Sequence, residues 1–398
     1  ESMEQVHDIR NRMHVNLDAL LQQQLRIADP VKENGYTNFF LAYHGEDDRP
    51  LQEKYAQLYS SACPSIDFTA SHCLDYTPPG ETRKLKIGFI SKNLMNHSIG
   101  NTSKGIIALL SRERFEVTAI FLSPPGDETG RFIAQAADSA VVLPGSLAAA
   151  RETIAGLALD ILFYQDTGLD PFTFFLAFSR LAPIQCTSFG HPVTTGIPNL
   201  DYYISTDLWE PEDGGSHYSE TLARLRNVAS VAYYYKPSTP ARLKPRRAFG
   251  LKTEDHLYIC PQTLFKFHPQ FDEILRGILQ ADPAGKIVLI EGKHPYWAEI
   301  LRKRFAVAMP DVAKRVLFLP RQSGENFINL IALSDVMLDT THFCGFNTTL
   351  QGFSVGTPVV TLPGRFMRSR HTLSFYRKMQ YMDLVAGDAN DYIEIAVR

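Results

Sequence analysis

Hydrophobic positions change rhythm once along the chain, near residue 80. Before it they recur at helical spacing. In VNLDALLQQQLRIAD, Leu17, Leu20, Leu21 and Leu25 fall three or four apart, which predicts a helix with one apolar face, broken at Asp29-Pro30. A polar turn, HGEDDRP, precedes a second helix in PLQEKYAQLYSSA. Two helices of this size suit the last unit of a helical array or a plain extension packed on the next domain; no repeat of 20–50 residues is visible. TPPGETR (77–83) has the composition of a linker.

Beyond it, short apolar runs bounded by turn residues alternate with segments of helical spacing. LKIGFIS, FEVTAIFLS, AVVLP, DILFYQ, IQCTSFG and LDYYISTD predict strands. Between them, IGNTSKGIIALLSR, TGRFIAQAADSA, SLAAARETIAGL and PFTFFLAFSRL predict helices, the first with Asn101 or Thr102 available as cap. After the basic, proline-rich stretch YKPSTPARLKPRRAFG (235–250) a second cycle begins. Its strands are LYICPQ, KIVLIEG, RVLFLP, VMLDTT and PVVTLP, and its helices include HPQFDEILRGILQADP, HPYWAEILRKRFAVAMP, ENFINLIALS and NTTLQGFSVGT. This alternation predicts an α/β protein of two doubly wound parallel sheets facing a cleft at their strand C-terminal ends. The expected parts are a helical extension (1–80), a first Rossmann-like half (81–235) and a second (236–398).

Composition removes several functions. Lys plus Arg (40) nearly balance Asp plus Glu (43), so no global field favours nucleic acid. Five scattered cysteines form no CxxC pair or zinc spacing, which suits a reducing, cytoplasmic setting. Arg180 interrupts the most apolar stretch, FTFFLAFSRLAPI, so no membrane span or signal peptide is expected. No Asp-x-Asp stands at a strand end to bridge a metal to a phosphate. The chain begins ESMEQ without an initiating Met and stops at YIEIAVR inside an apparent helix, as a piece of a longer protein would.

The densest candidate chemistry lies in HFCGFNTTLQGFSVGTPVVTLP (342–363). A glycine and small polar residues open a helix after a strand, so amide N–H groups with the Thr348 and Thr349 hydroxyls make a site for a diphosphate. Gly345 lets the backbone approach a ligand. An ordinary capped loop with Asn347 as cap is the plainer alternative. In PQTLFKFHP, Lys266 stands between Phe265 and Phe267 beyond a strand end, with Gln262 and Thr263 able to bond phosphate or sugar. A surface lysine at a helix start is the alternative there, and His268 reads as a helix residue. His97 follows the first strand; its imidazole can accept a proton, hold a substrate, or cap the helix. Asp166 ends a strand on the same face and can serve as base or orient His97, whereas Asp170 before Pro171 reads as a cap. In GHPVTTG, His191, Thr194 and Thr195 can contact sugar or phosphate, or merely build a turn. Arg365, Arg368, Arg370 and His371 form a basic cluster that can grip an anion or stay solvated.

These segments together resemble glycosyltransferases with two facing Rossmann-like domains, the GT-B fold, and within them the O-GlcNAc transferase and SPINDLY group. LDTTHFCGFNTTLQGFSVGTPVVTLPG, PQTLFKFHP, LAPIQCTSFGHPVTTGIPNLDYYISTD and IGFISKNLMNHSIGN match that group's segments in the same order over about residues 80–398. Residues 1–80 resemble the stretch joining tetratricopeptide repeats to the catalytic region in bacterial SPINDLY-like proteins. The resemblance implies inverting transfer of a sugar from a UDP- or GDP-linked donor to a protein Ser or Thr hydroxyl, without a metal. It places Lys266 on the donor diphosphate and His97 or Asp166 as base. Two departures stand out: Gln351 replaces a carboxylate that binds the ribose hydroxyls, and Phe346-Asn347 replaces a histidine before Thr-Thr. A nucleotide-sugar epimerase of the same architecture and a catalytically weak nucleotide-sugar-binding protein are the rival expectations.

Overall fold

A computed structural model describes residues 2–80 and 83–398; of the linker, Glu81 and Thr82 lie outside the described residues. The chain opens with α1 (Met3–Leu21), α2 (Pro30–Glu33) and α3 (Arg49–Ala62). Helix α1 starts well before the leucine spacing begins, because Ser2 and Gln5 close a reciprocal capping box. Asp29 caps α2 through the amides of Val31 and Lys32.

The first half alternates β1 (Leu85–Ser91), α4 (Ser98–Leu109), β2 (Phe115–Phe121), α5 (Glu128–Ala136), β3 (Ser139–Val142) and α6 (Leu147–Gly156). It continues through β4 (Ile161–Tyr164), α7 (Pro171–Leu176), β5 (Ile184–Ser188), β6 (Tyr202–Thr206) and β7 (Thr221–Leu225). All pairings are parallel, in the order β3-β2-β1-β4-β5-β6-β7. Strand β7 was not expected from the pattern. It is a half-exposed edge strand, so TLARL lacks the apolar run of a buried one.

The second half runs β8 (His256–Cys260), α8 (Phe271–Ala281), β9 (Gly285–Ile290), α9 (Pro295–Ala308), β10 (Val316–Leu319), α10 (Gly324–Leu333) and β11 (Val336–Leu338). Then follow α11 (Asn347–Ser354), β12 (Val359–Val360), α12 (His371–Met379) and α13 (Ala389–Val397). Its parallel sheet has the order β10-β9-β8-β11-β12. Each sheet reverses strand order beside its first strand, and that is where open α/β sheets form a crevice. The two sheets with their flanking helices form a GT-B architecture.

The extension is part of both halves. Leu17, Leu51 and Leu58 join α1 to α3, while Ala56, Tyr59, Cys63 and Ile66 enter the same core as Leu162, Phe174 and Phe175. On its other side Tyr43 stacks on Phe343 at 4.4 Å and meets Phe265 edge-on at 4.8 Å. A buried ionic junction completes the joint. Arg10 donates to Asp48 at 2.6 Å, and Arg368 of the second half lies 3.5 Å from the other Asp48 oxygen and donates to the Glu46 carbonyl.

Candidate functional site

The loops leaving β1, β5, β8 and β11 converge on a cavity of about 320 Å³ between the halves. Among the expected site residues, His97, Gln262, Thr263, Lys266, Asn347 and Thr348 line it.

The second-half wall is built outward from Asp339, fully buried just past β11. Its carboxylate accepts from the Gly345 amide at 2.7 Å and from the Thr372 and Thr361 hydroxyls at 2.6 and 2.9 Å. That holds the 340–346 loop against the sheet and sets the start of α11. No side chain caps α11, so Asn347 is its first residue rather than its cap, and the first-turn amides keep their anion-binding capacity. Thr349 is buried and pairs with Thr372 at 3.0 Å, tying the first turn of α11 to that of α12. Helix α12 also lacks a side-chain cap, so two helix starts point their positive ends at one region.

Lys266 completes this wall. Its ammonium donates to Gln262 Oε1 at 2.9 Å and to the Cys344 carbonyl at 3.1 Å, and lies 4.6 Å from the Phe343 ring centroid. Gln262 passes the contact on, donating to Thr348 Oγ1 at 2.7 Å. Burial lowers the Lys266 pKa, opposed by the nearby Cys344 and Asp339. An ammonium with three donors and two neutral acceptors keeps one donor for a ligand. Gly345 has no room for a side chain: an added Cβ would collide with Thr348 Oγ1 and Gln262 Nε2. Gly345→Ala is therefore expected to push the Lys266–Gln262–Thr348 chain apart and weaken nucleoside diphosphate binding about tenfold, by calorimetry. Unchanged affinity would show that this chain does not hold the anion.

On the first-half wall His97, not Asn101 or Thr102, caps α4: its Nδ1 accepts from the Ile99 amide at 3.2 Å. The neutral ring then carries its proton on Nε2. Partial burial lowers its pKa, so it stays neutral to a more acidic pH than an ordinary imidazole. Asp166 lies below the cavity without lining it; its carboxylate accepts from Ser91 and Asn93, both at 2.8 Å. Burial pushes its pKa up to about 6. Asp170 caps α7 and pairs with Lys92 at 2.7 Å.

GHPVTTG is turned inward instead. Thr194 Oγ1 donates to Glu220 at 2.6 Å and the Thr195 amide donates to it at 2.8 Å, so the two threonines satisfy a buried carboxylate. Gly196 follows at φ 72° and closes the turn. His191 is buried against Phe39 at 5.6 Å. His191, Thr194 and Thr195 thus lie outside the cavity lining, as does Gln351, one turn along α11.

The basic cluster divides. Arg368 is buried in the Asp48 junction, Arg370 donates to the Trp209 and Gly364 carbonyls, Arg365 is exposed, and His371 lines the cavity. Sequence reasoning gave no site role to Phe39, Tyr43, Phe189 and Phe343, which line the cavity too. Among the described residues no group of three His, Cys, Asp or Glu is arranged to hold a metal, and no helix is long and apolar enough to cross a membrane.

This arrangement matches known proteins along nearly its whole length. The family model for glycosyl transferase family 41 matches residues 66–236 and 235–398. The probable UDP-N-acetylglucosamine–peptide N-acetylglucosaminyltransferase SPINDLY of Arabidopsis thaliana is 29% identical over 223 residues, 55% of this chain and 24% of that protein. The related SEC protein of the same plant is 24% identical over 375 residues, 91% of this chain and 38% of that protein. This chain therefore spans well under half the length of these relatives. A mutant of the Thermobaculum terrenum O-GlcNAc transferase has the same fold, with a TM-score of 0.74 at 22% identity over 97% of this chain and 72% of that one. On the family match, which takes in both sheets, the chain belongs to glycosyl transferase family 41.

Proposed function

We propose that this chain transfers a sugar from a nucleotide-diphosphate donor, UDP- or GDP-linked, to a Ser or Thr hydroxyl of a protein, with inversion and without a metal. The observation carrying this is the Lys266–Gln262–Thr348 chain at the uncapped start of α11, facing His97 across the cavity. As the anomeric bond breaks, negative charge grows on the leaving diphosphate. Lys266 and the amide dipoles of α11 meet that charge, the task a metal performs elsewhere. Residues 1–80 are the end of a tetratricopeptide-type array that presents the acceptor, and the protein works in the cytoplasm. The relatives' names support a UDP donor and a peptide acceptor.

With Nδ1 accepting from the Ile99 amide, the neutral His97 ring has its Nε2–H free to donate, an arrangement suited to holding an acceptor or phosphate oxygen. It becomes a base, taking the proton of the acceptor hydroxyl on Nε2 as the bond to the anomeric carbon forms and the bond to the diphosphate breaks, only when the ring releases that cap and carries its own proton on Nδ1. Gln351 sits four residues after Asn347, on the same helix face, where a ribose joined to a diphosphate at the helix start would reach. Gln351→Glu is expected to tighten donor binding several-fold, since a carboxylate accepts a ribose hydroxyl more strongly than an amide. Equal affinities would place the ribose elsewhere.

The function is tested by incubating the protein with labelled UDP- and GDP-sugars and candidate protein acceptors. Label on protein Ser or Thr is the expected result. Epimerised free sugar with unlabelled protein would overturn the transferase reading, and absence of donor binding would overturn the donor site.

A further inference from the structure

Two residues of the cavity lining carry polar atoms without a hydrogen-bond partner. His371 is 3% exposed and its Nδ1 is buried without a hydrogen-bond partner. Asn347 Oδ1, on the first residue of α11, is buried and equally unpartnered. Both residues line the cavity. Buried polar groups in folded proteins are nearly always satisfied, so two unpartnered atoms on residues of one cavity lining single out that corner as a place for a polar ligand.

The His371 ring is held in place rather than loose. Trp209 meets it edge-on at 4.7 Å, Phe346 at 5.5 Å and Phe189 at 5.8 Å, while its backbone amide donates to Cys344 Sγ at 3.3 Å. Burial first, and Lys266 second, push its pKa down to about 3, so it is a neutral imidazole at physiological pH. A neutral imidazole offers one donor and one acceptor, the complement of a hydroxyl. A phosphate would call for a cation, and Lys266 already supplies one. Phe189 and Phe346 give the same corner of the cavity an apolar wall of the kind that packs on the C–H face of a pyranose.

We propose that His371, with Asn347, is the specificity-determining contact for the hydroxyl groups of the transferred sugar. The inference rests on the donor-site reading above and deepens it: Lys266 and the start of α11 hold the diphosphate, and His371 at the start of α12 tells a sugar nucleotide from the bare nucleoside diphosphate. A pocket built to bond a hydroxyl discriminates strongly against ligands lacking it, because its own polar atoms are then left unpaired.

The test compares binding of UDP and GDP with binding of UDP-glucose, UDP-N-acetylglucosamine and GDP-mannose, by calorimetry, to the wild type, His371→Leu and His371→Gln. His371→Leu is expected to lose about tenfold or more in affinity for the sugar nucleotide that the wild type prefers. Its affinity for the free nucleoside diphosphate should stay within about twofold, which also shows the variant to be folded. His371→Gln, which keeps a donor and an acceptor, should recover part of the loss. Equal losses for the free and sugar-linked diphosphate, or no loss for either, would overturn the role of His371 and leave the diphosphate site standing. A wild type that binds none of the five probes would overturn the donor-site reading and this inference with it.

Discussion

Replacing Lys266 by Met is expected to lower the rate of sugar transfer by about two to three orders of magnitude at saturating donor, the cost of removing one preorganised group from a developing anion. Met keeps the unbranched stem that packs beside Phe343 and removes only the charge and its donors, so the effect reports electrostatics rather than a cavity. The position is suited to the role. Gln262 and the Cys344 carbonyl occupy two of the three ammonium protons, which fixes the direction of the third, and neither partner neutralises the charge. The nearest carboxylate, Asp339, is engaged with Gly345, Thr361 and Thr372. The pH dependence has a definite sign. Burial lowers the Lys266 pKa, and an arriving diphosphate favours the charged form and raises it again. Donor binding therefore takes up a proton wherever Lys266 has begun to lose one. Affinity should be greatest below the lowered pKa and fall as pH rises through it, and the Lys266→Met variant should lack that fall. Calorimetry of nucleoside diphosphate binding between neutral and alkaline pH, with single-turnover transfer rates, checks both statements. A variant with unchanged turnover would assign the leaving-group charge to the helix starts alone.

The second-half wall was legible in the sequence because it is local: Gln262, Lys266, Gly345, Asn347 and Thr348 all stand in the loops and first helical turns that follow two neighbouring strands, β8 and β11. Strand ends follow from apolar runs, and polar residues just past them have a cleft to face. The rest depended on contacts distant in sequence. The polar composition of GHPVTTG suggested a ligand, yet the partner of Thr194 and Thr195 is Glu220, a buried carboxylate about 25 residues on whose burial no periodicity announces. Phe39 and Tyr43 come from a segment whose helical surroundings gave no reason to place it at the cleft. GRFMRSRH read as one basic cluster because charge is visible in a sequence and direction is not. Once α12 forms, Arg368 turns to the extension, Arg370 to the Trp209 carbonyl and His371 to the cavity. His97 was legible as a strand-end histidine, whereas its cap to Ile99, which decides which nitrogen faces a substrate, required the backbone.

The largest effect on stability is expected from Asp48→Ala. Arg10 and Arg368 are 8% and 3% exposed, and Asp48 is the carboxylate that both approach. Removing it leaves two guanidinium groups buried side by side, and breaking a buried pair in this way costs about 3–5 kcal/mol. Much of that cost is the stranded charge rather than the lost attraction. A triple variant, Arg10→Met with Asp48→Leu and Arg368→Met, should therefore unfold at a midpoint close to the wild type's, since apolar groups of similar volume replace such clusters at little cost. The two tryptophans make the comparison readable, because Trp209 packs against Phe346 and His371 where the halves meet and Trp297 packs against Phe265. Their emission through a denaturant titration should show Asp48→Ala losing both contacts early. An Asp48→Ala midpoint equal to the wild type's would mean that water reaches the junction and shares the charge. The consequence extends to the cavity, since Asp48, Glu46 and Tyr43 belong to one segment and Tyr43 stacks on the Phe343 ring beneath Lys266. Loosening the junction frees that ring, so Asp48→Ala should also raise the donor KM while the triple variant keeps it low, and that contrast ties the extension's charge cluster to the site itself.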